Sequence, residues 1–241
     1  MSSLEVLKHS RNVFSIMKNK TLNIKHKLTE IAIEIAIIVF AISLSLFLER
    51  WREKTEDHHL EKKFLSGLRT DLQTDLKELQ AASEKWRSMK QAARYFLKPE
   101  KEITASNDST RFYGYKLFHN VYFFPNSNRY ESLKSTGKLN VIKNETLQGN
   151  IIDLYQTKIP DLMQQIGFFN DFMNTRVRDY LISNFNRNAQ NEVVLDKAFF
   201  TNIHTKNLLS FYGDLDDIMK RAAAASGTMD KVLEQIDQHP E

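Results

Sequence analysis

Cysteine is absent from the 241 residues. Disulfides, thiolate metal sites and thiol nucleophiles are therefore excluded together, and the redox compartment stays open: cytoplasm and periplasm are equally permitted. Glycine and proline are scarce, at 7 and 4. Few obligatory turns or helix breakers favours long helices over the many short strands of a sandwich or barrel. No two glycines lie closer than twelve residues, so a P-loop, a dinucleotide-binding turn and a G-x-S-x-G elbow are all missing. Metal chemistry has one suggestive run, Asp57-His58-His59 with Glu61. Adjacent helical positions point about 100° apart, however, and the i, i+4 histidine spacing of a zinc helix is lacking, so the run reads as a solvated polar face. His119 and His204 have no recognisable partners in the sequence, and Arg176, Arg178 and Asp179 read as a charged surface. The expectation is a non-enzyme with no cofactor and no metal.

What the chain does contain is the 41% hydrophobic and 27% charged content of a foldable protein rather than a disordered tail. Its charge is unevenly placed. Residues 1–30 hold Lys8, Arg11, Lys18, Lys20, Lys25 and Lys27 against Glu5 and Glu30, which equals the +4 of the whole chain. The other 211 residues are thus net neutral and lack the concentrated basic face that nucleic acid requires.

From Ile35 to Leu48 no residue is charged. At 1.5 Å per residue those 14 positions reach about 21 Å, short of a hydrocarbon core of about 30 Å. Extending back to Leu28 gives about 31 Å and draws Glu30 and Glu34 towards the lipid. Glu30 can stay among headgroups, whereas Glu34 lies one turn deeper, where a carboxylate is protonated, paired with a partner span or snorkelling to the interface. Glu49 and Arg50 close the run, and Trp51 is an interfacial anchor. A buried core helix or a cleaved signal peptide is the alternative. The apolar run passes straight into Glu49-Arg50-Trp51-Arg52-Glu53-Lys54 without a small-residue cleavage site, which favours a retained anchor. The short, almost purely basic tail then predicts a cytoplasmic N-terminus and an external main domain, although Arg50, Arg52, Lys54, Lys62 and Lys63 follow the span.

Beyond the span, Leu60, Phe64, Leu68, Leu72, Leu76, Leu79, Ala82, Trp86, Met89, Ala93 and Phe96 recur at helical spacing. The first steps are all of four, so the stripe is expected to drift around the helix before straightening. Pro99 ends this helix, and Lys98 to Arg111 reads as a solvated loop. Seven aromatics follow in thirteen residues: Phe112, Tyr113, Tyr115, Phe118, Tyr122, Phe123 and Phe124. They are expected in the bundle core. The competing reading makes Phe112, Tyr115, Phe118 and Tyr122 a partner-docking face, or an interfacial contact with lipid. Further helices are expected at Tyr130 to Ser135, at Asn144 (as N-cap) to about Asn184 with a possible break at Pro160, and from Lys206 to Ile236.

Two stretches resemble a family of uncharacterised single-span membrane proteins of Bacteroidota-type bacteria, a domain of unknown function. Glu34-Ile35, the apolar run and Trp51-Arg52-Glu53 are similar to its Gly-Glu-Ile, glycine-containing span and closing Trp-Asn-Glu. The run from Tyr130 through Leu133, Gly137, Leu139, Ile142, Asn144 and Leu147 is similar to its Tyr-x-x-Leu-x-x-Ser-Gly-x-Leu-x-x-Ile-x-Asn-x-x-Leu signature. The resemblance covers about residues 28–160 and implies a helical envelope protein without supplying an activity. Ile33 and Ala41 stand where that family favours glycine, and Phe47 where it often has glutamine. Physically, Tyr130, Leu133, Gly137 and Leu139 form a structural motif: a short helix closed by a left-handed Gly137.

The expected architecture is all-α, with a basic cytoplasmic tail (1–28), a transmembrane helix (29–50), a long amphipathic helix (51–98) and a helical bundle (112–241) that this helix completes. The expected function is a non-enzymatic single-span subunit or scaffold of a bacterial inner-membrane complex, with a periplasmic interaction domain. Its partners would be the lipid bilayer and other envelope proteins, or further copies of itself, with Glu34 as the membrane contact. The rival is a membrane-anchored sensor or ligand-binding receptor.

Overall fold

The computed structural model describes residues 3–103, 107–184, 186–187, 189, 193–194 and 197–238. Its contacts divide the chain into two units, Met1–His59 and Leu60–Glu241. Helix α1 spans Ser3–Leu97, so the helix already includes most of the basic tail.

In the first unit every large apolar side chain from Leu28 to Leu48 is 45–67% exposed. A soluble helix hides such a stripe against its own protein, and here none of the most apolar stretch is buried. This is one helix long and apolar enough to cross a membrane. Trp51 is exposed as well, and His26 faces Glu30 one turn away at 3.2 Å.

The second unit builds its own core. From Leu68 the buried positions of α1 run Leu72, Asp75, Leu79, Ala82, Trp86, Met89, Ala93 and Phe96, in alternating steps of three and four. The expected drift in steps of four holds from Leu60 through Phe64 and Leu68 to Leu72 and is corrected only at Leu76. Leu76 is only half-buried, and the carboxylate of Asp75 occupies the seam position. Lys98 to Arg111 is also corrected: helix α2, Asn107–Leu117, starts inside it. The Asn-Asp-Ser-Thr run belongs to the start of a helix, where such side chains are favoured, and Thr110 and Leu117 are buried.

Helix α3, Asn128–Ser135, ends as its glycine requires. Gly137 has φ +69°, its N–H donates to Lys134 O at 3.0 Å, and the Lys138 N–H donates to Leu133 O at 3.2 Å. These two bonds make a Schellman closure. Replacing Gly137 by alanine is expected to lower stability by about 1–2 kcal/mol through the left-handed backbone alone, since open space surrounds a Cβ there. Thermal unfolding followed by circular dichroism measures it. No change in midpoint would show that the turn readily adopts another conformation.

The chain then turns into α4, Glu145–Asp153, where the Asn144 side chain accepts the Leu147 N–H at 3.0 Å. The expected break at Pro160 does not occur. Leu154–Lys158 is instead wound as a π-turn and the helix continues as α5, Ile159–Phe172. Proline lacks an N–H and crowds the carbonyl a turn earlier. The wider turn, with the Ile159 N–H bonded to Leu154 O, accommodates both defects. A second π-turn at Met173–Val177 leads into α6, Arg178–Asn184.

A two-residue antiparallel ladder pairs Asn186 with Val194 and Arg187 with Val193. It precedes α7, Lys197–Thr201, and α8, Ile203–Ser210. Helix α9, Leu215–Asp237, is thus separate from α8, where one helix from Lys206 was expected. Arg69 meets Asp237 at 2.9 Å and Lys90 meets Asp216, so α9 runs antiparallel to this part of α1. Asn150 likewise meets Gln235 at 2.9 Å, and Arg221 meets Asp161. Among the described residues the fold is all-α apart from that ladder, and the core of the second unit is lined chiefly by α1, the run α4 to α6, and α9.

Candidate functional site: an aromatic groove beside helix α1

After α2 the chain runs from His119 to Ser127 without regular structure, yet its side chains alternate. Val121 and Phe123 are buried, at 2% and 3% exposure, whereas Tyr122 and Phe124 are 56% and 70% exposed. A period of two is the signature of an extended strand. Asn170 supplies the missing strand partner: its Oδ1 accepts the Val121 N–H at 2.9 Å and its Nδ2 donates to Val121 O at 2.7 Å. With Val121 and Phe123 committed inwards, Tyr122 and Phe124 stack on the surface with ring centroids 5.9 Å apart.

The far end of this segment is fixed by Asp75, fully buried on α1. The Asn126 N–H lies 3.1 Å from both its carboxylate oxygens, and Asn126 Nδ2 donates to Oδ1 at 2.6 Å. Tyr155 donates to Asn126 O at 3.3 Å and stacks on Tyr130 with centroids 4.6 Å apart. Tyr130 in turn accepts from Gln156 at 2.6 Å. Burial pushes the Asp75 carboxyl above the usual aspartate range against the pull of the Asn126 donors, with Glu78 and Asp71 adding to the rise.

A raised carboxyl pKa means that the folded state holds its proton more tightly than the unfolded chain does. The associated stability is full below the ordinary value of 3.8 and is lost as pH climbs through the raised one. Asp75→Asn is therefore expected to remove a loss of stability with rising pH just above that range. Denaturation midpoints of both proteins from about pH 3.5 to 7 test it; parallel curves would refute it.

Between this segment, the end of α2 and α1 lies a groove of about 510 Å³. Trp86, Met89, Ala82 and Val121, all buried, line it together with Tyr115, His119, Asn120 and Tyr122. Tyr115 meets the His119 ring edge-on at 5.0 Å. Asn120 Nδ2 donates to the Tyr122 hydroxyl at 3.0 Å and to Asn174 Oδ1 at 3.1 Å, which holds the tyrosine against the rim. Lys85, Lys116 and Glu78 also line the groove. Among the described residues neither lysine is ion-paired; Lys116 Nζ sits 3.9 Å above the Phe112 ring.

The aromatic run is thus divided. Phe123 is core, and Tyr113 and Phe118 are half-buried, but Phe112, Tyr115, Tyr122 and Phe124 are exposed, which corrects the expectation of a core cluster for those four. Of the four docking candidates, Tyr115 and Tyr122 line the groove, Phe112 stands beside it, and Phe118 turns towards Phe200 at 6.4 Å. Glu34 and Trp51 lie in the first unit and are exposed within it.

Tyr130, Leu133, Ile142, Leu147 and Tyr155 are buried and Leu139 packs on the core; with the Gly137 turn and the Asn144 cap they form the corner between α3 and α4. Arg129 crosses α1 at Gly67, where a Cβ would stand 2.2 Å from its guanidinium carbon, and reaches Asp71 at 2.9 Å.

Trp86, Asp75, Asn170 and the two rim lysines were not distinguishable as site residues by spacing. The usable signal was a carboxylate at a seam position, three after Leu72 and four before Leu79. Comparisons of the chain with protein-family models, characterised proteins and solved structures find no match.

Proposed function

We propose that this protein is a non-enzymatic, single-span subunit or scaffold of a bacterial envelope complex. In this reading residues 29–50 cross the inner membrane, the basic tail is cytoplasmic and the helical unit is periplasmic. One observation carries it: thirteen large apolar side chains from Leu28 to Leu48 project from α1 without burial in their own unit. Burying each is worth about 1.5–3 kcal/mol, so a folded chain in water would bear a large unfavourable surface. A bilayer removes that surface while the helix satisfies its own amides.

The charge asymmetry supports the orientation, and membership of the single-span envelope family that Tyr130 to Leu147 resembles is part of the same proposal. Glu34, at membrane depth, is assigned to a polar group on a partner span. The exposed aromatic groove supports an interaction role for the helical unit.

Sedimentation of carbonate-washed membranes tests the anchor: the full chain is expected in the pellet and released only by detergent. A C-terminal alkaline phosphatase fusion is expected to be active, and an inactive fusion would reverse the orientation. Mild-detergent purification should recover a stoichiometric membrane partner or a homo-oligomer, and Glu34→Leu should reduce that recovery. Unchanged recovery would remove Glu34 from the interface. A monomer stabilised by a small molecule would favour a receptor instead.

A further inference from the structure

Building on the subunit reading, we propose that the groove takes an extended, acidic segment of a partner polypeptide. The segment lies along Tyr122–Phe124 and places an apolar side chain over Trp86 and Met89. Three independent features lead to this occupant.

The first is backbone. Among the described residues, no protein group hydrogen-bonds the N–H or C=O of Tyr122, Phe123 or Phe124, although Val121 beside them is fully engaged by Asn170. Successive residues of an extended chain direct these groups to opposite edges. Asn170 therefore covers one edge at Val121 and leaves the opposite edge at Tyr122 available for strand addition, a recurring mode of peptide capture.

The second is shape. At about 510 Å³ the groove falls within the 300–1,000 Å³ typical of ligand sites, and its apolar floor is fixed by the packed Trp86. Tyr122 and Phe124, stacked and exposed, offer rigid apolar contact of the kind enriched at interface anchors.

The third is charge. Lys85 and Lys116 line the groove against the single carboxylate of Glu78, and neither lysine is ion-paired among the described residues. The rim thus complements carboxylates and disfavours a basic segment.

The test uses the full chain in lipid nanodiscs, with displayed random short peptides as the probe and empty nanodiscs as the background. Enriched peptides are expected to carry aspartate or glutamate with one aromatic or large aliphatic residue. A synthetic peptide of the enriched sequence should lose at least about tenfold in affinity against Lys85→Glu/Lys116→Glu. It should lose similarly against Tyr122→Ser and be unaffected by Lys231→Glu on the exposed face of α9. An unchanged thermal unfolding midpoint in detergent confirms that each variant is folded. No enrichment over empty nanodiscs, peptides without acidic bias, or binding indifferent to the lysine and tyrosine changes would each overturn the proposal. Failure here with the chain still in the washed-membrane pellet sinks the groove assignment alone. Loss of the chain to the supernatant sinks the subunit reading beneath it.

Discussion

Arginine introduced at both Ile38 and Ile42 is expected to remove the full chain from the membranes, so that it no longer floats with them in a density gradient. The two positions lie one turn apart in the middle of the apolar run, 53% and 55% exposed, so neither change disturbs packing within the unit. Each arginine at a helix centre costs about 2.5–3.5 kcal/mol of insertion free energy, roughly 5–7 kcal/mol for the pair. That is enough to reverse the partition of a single span. Leucine at the same two positions should leave the chain floating with the membranes. If the arginine variant still floats with carbonate-washed membranes, another part of the chain anchors it.

Trp86→Ala is expected to be the most damaging single change in the helical unit, at about 3–5 kcal/mol. Trp86 is 1% exposed and is the largest fully buried side chain of the core, held in the α1 seam between Ala82 and Met89. Truncation leaves a void under the groove that surrounding helices fill only in part. With a midpoint shift of about 2–4 °C per kcal/mol for a domain of this size, the thermal transition should fall by roughly 6–20 °C. Trp86→Phe, which keeps most of the volume, should fall much less. Equal midpoints for the alanine variant and the parent would mean that the seam is loosely packed there, and that the groove floor is not rigid.

Trp86 and Asp75 differ in how far they could be read in advance. Trp86 was legible as core because its spacing to Ala82, Met89 and Ala93 is that of a helix seam. Its second role, as a groove floor, was not, because the opposing wall comes from residues 115–122 and adjacency across about thirty positions has no local signature. Asp75 failed for another reason. Apolar periodicity skips a carboxylate and continues the stripe through Leu76, whereas the buried register runs through Asp75. Only the Asn126 donors, 51 positions away, make a carboxylate tolerable there.

The aromatic run shows the limit most clearly. Val121, Tyr122, Phe123 and Phe124 are all apolar or aromatic, so the period-two alternation that marks a half-buried extended segment leaves no trace in polarity. Which two point outwards is fixed by Asn170, contributed by α5. At Pro160, by contrast, the sequence marked the correct site of a perturbation but not its form: a π-turn absorbs in one helix what local rules treat as a break.

Local chemistry alone therefore determined the helical class, the apolar run between Glu34 and Glu49, the uneven charge, the seam from Leu79 to Phe96, the Asn144 cap and the left-handed Gly137. Each depends on neighbours within a turn or two, where backbone geometry and periodicity suffice. Tertiary structure decided the burial of Asp75, the division of the aromatic cluster, the separation of α8 from α9 and the existence of the groove. Those depend on which distant groups supply a hydrogen bond or an apolar wall, and that follows from how the helices pack.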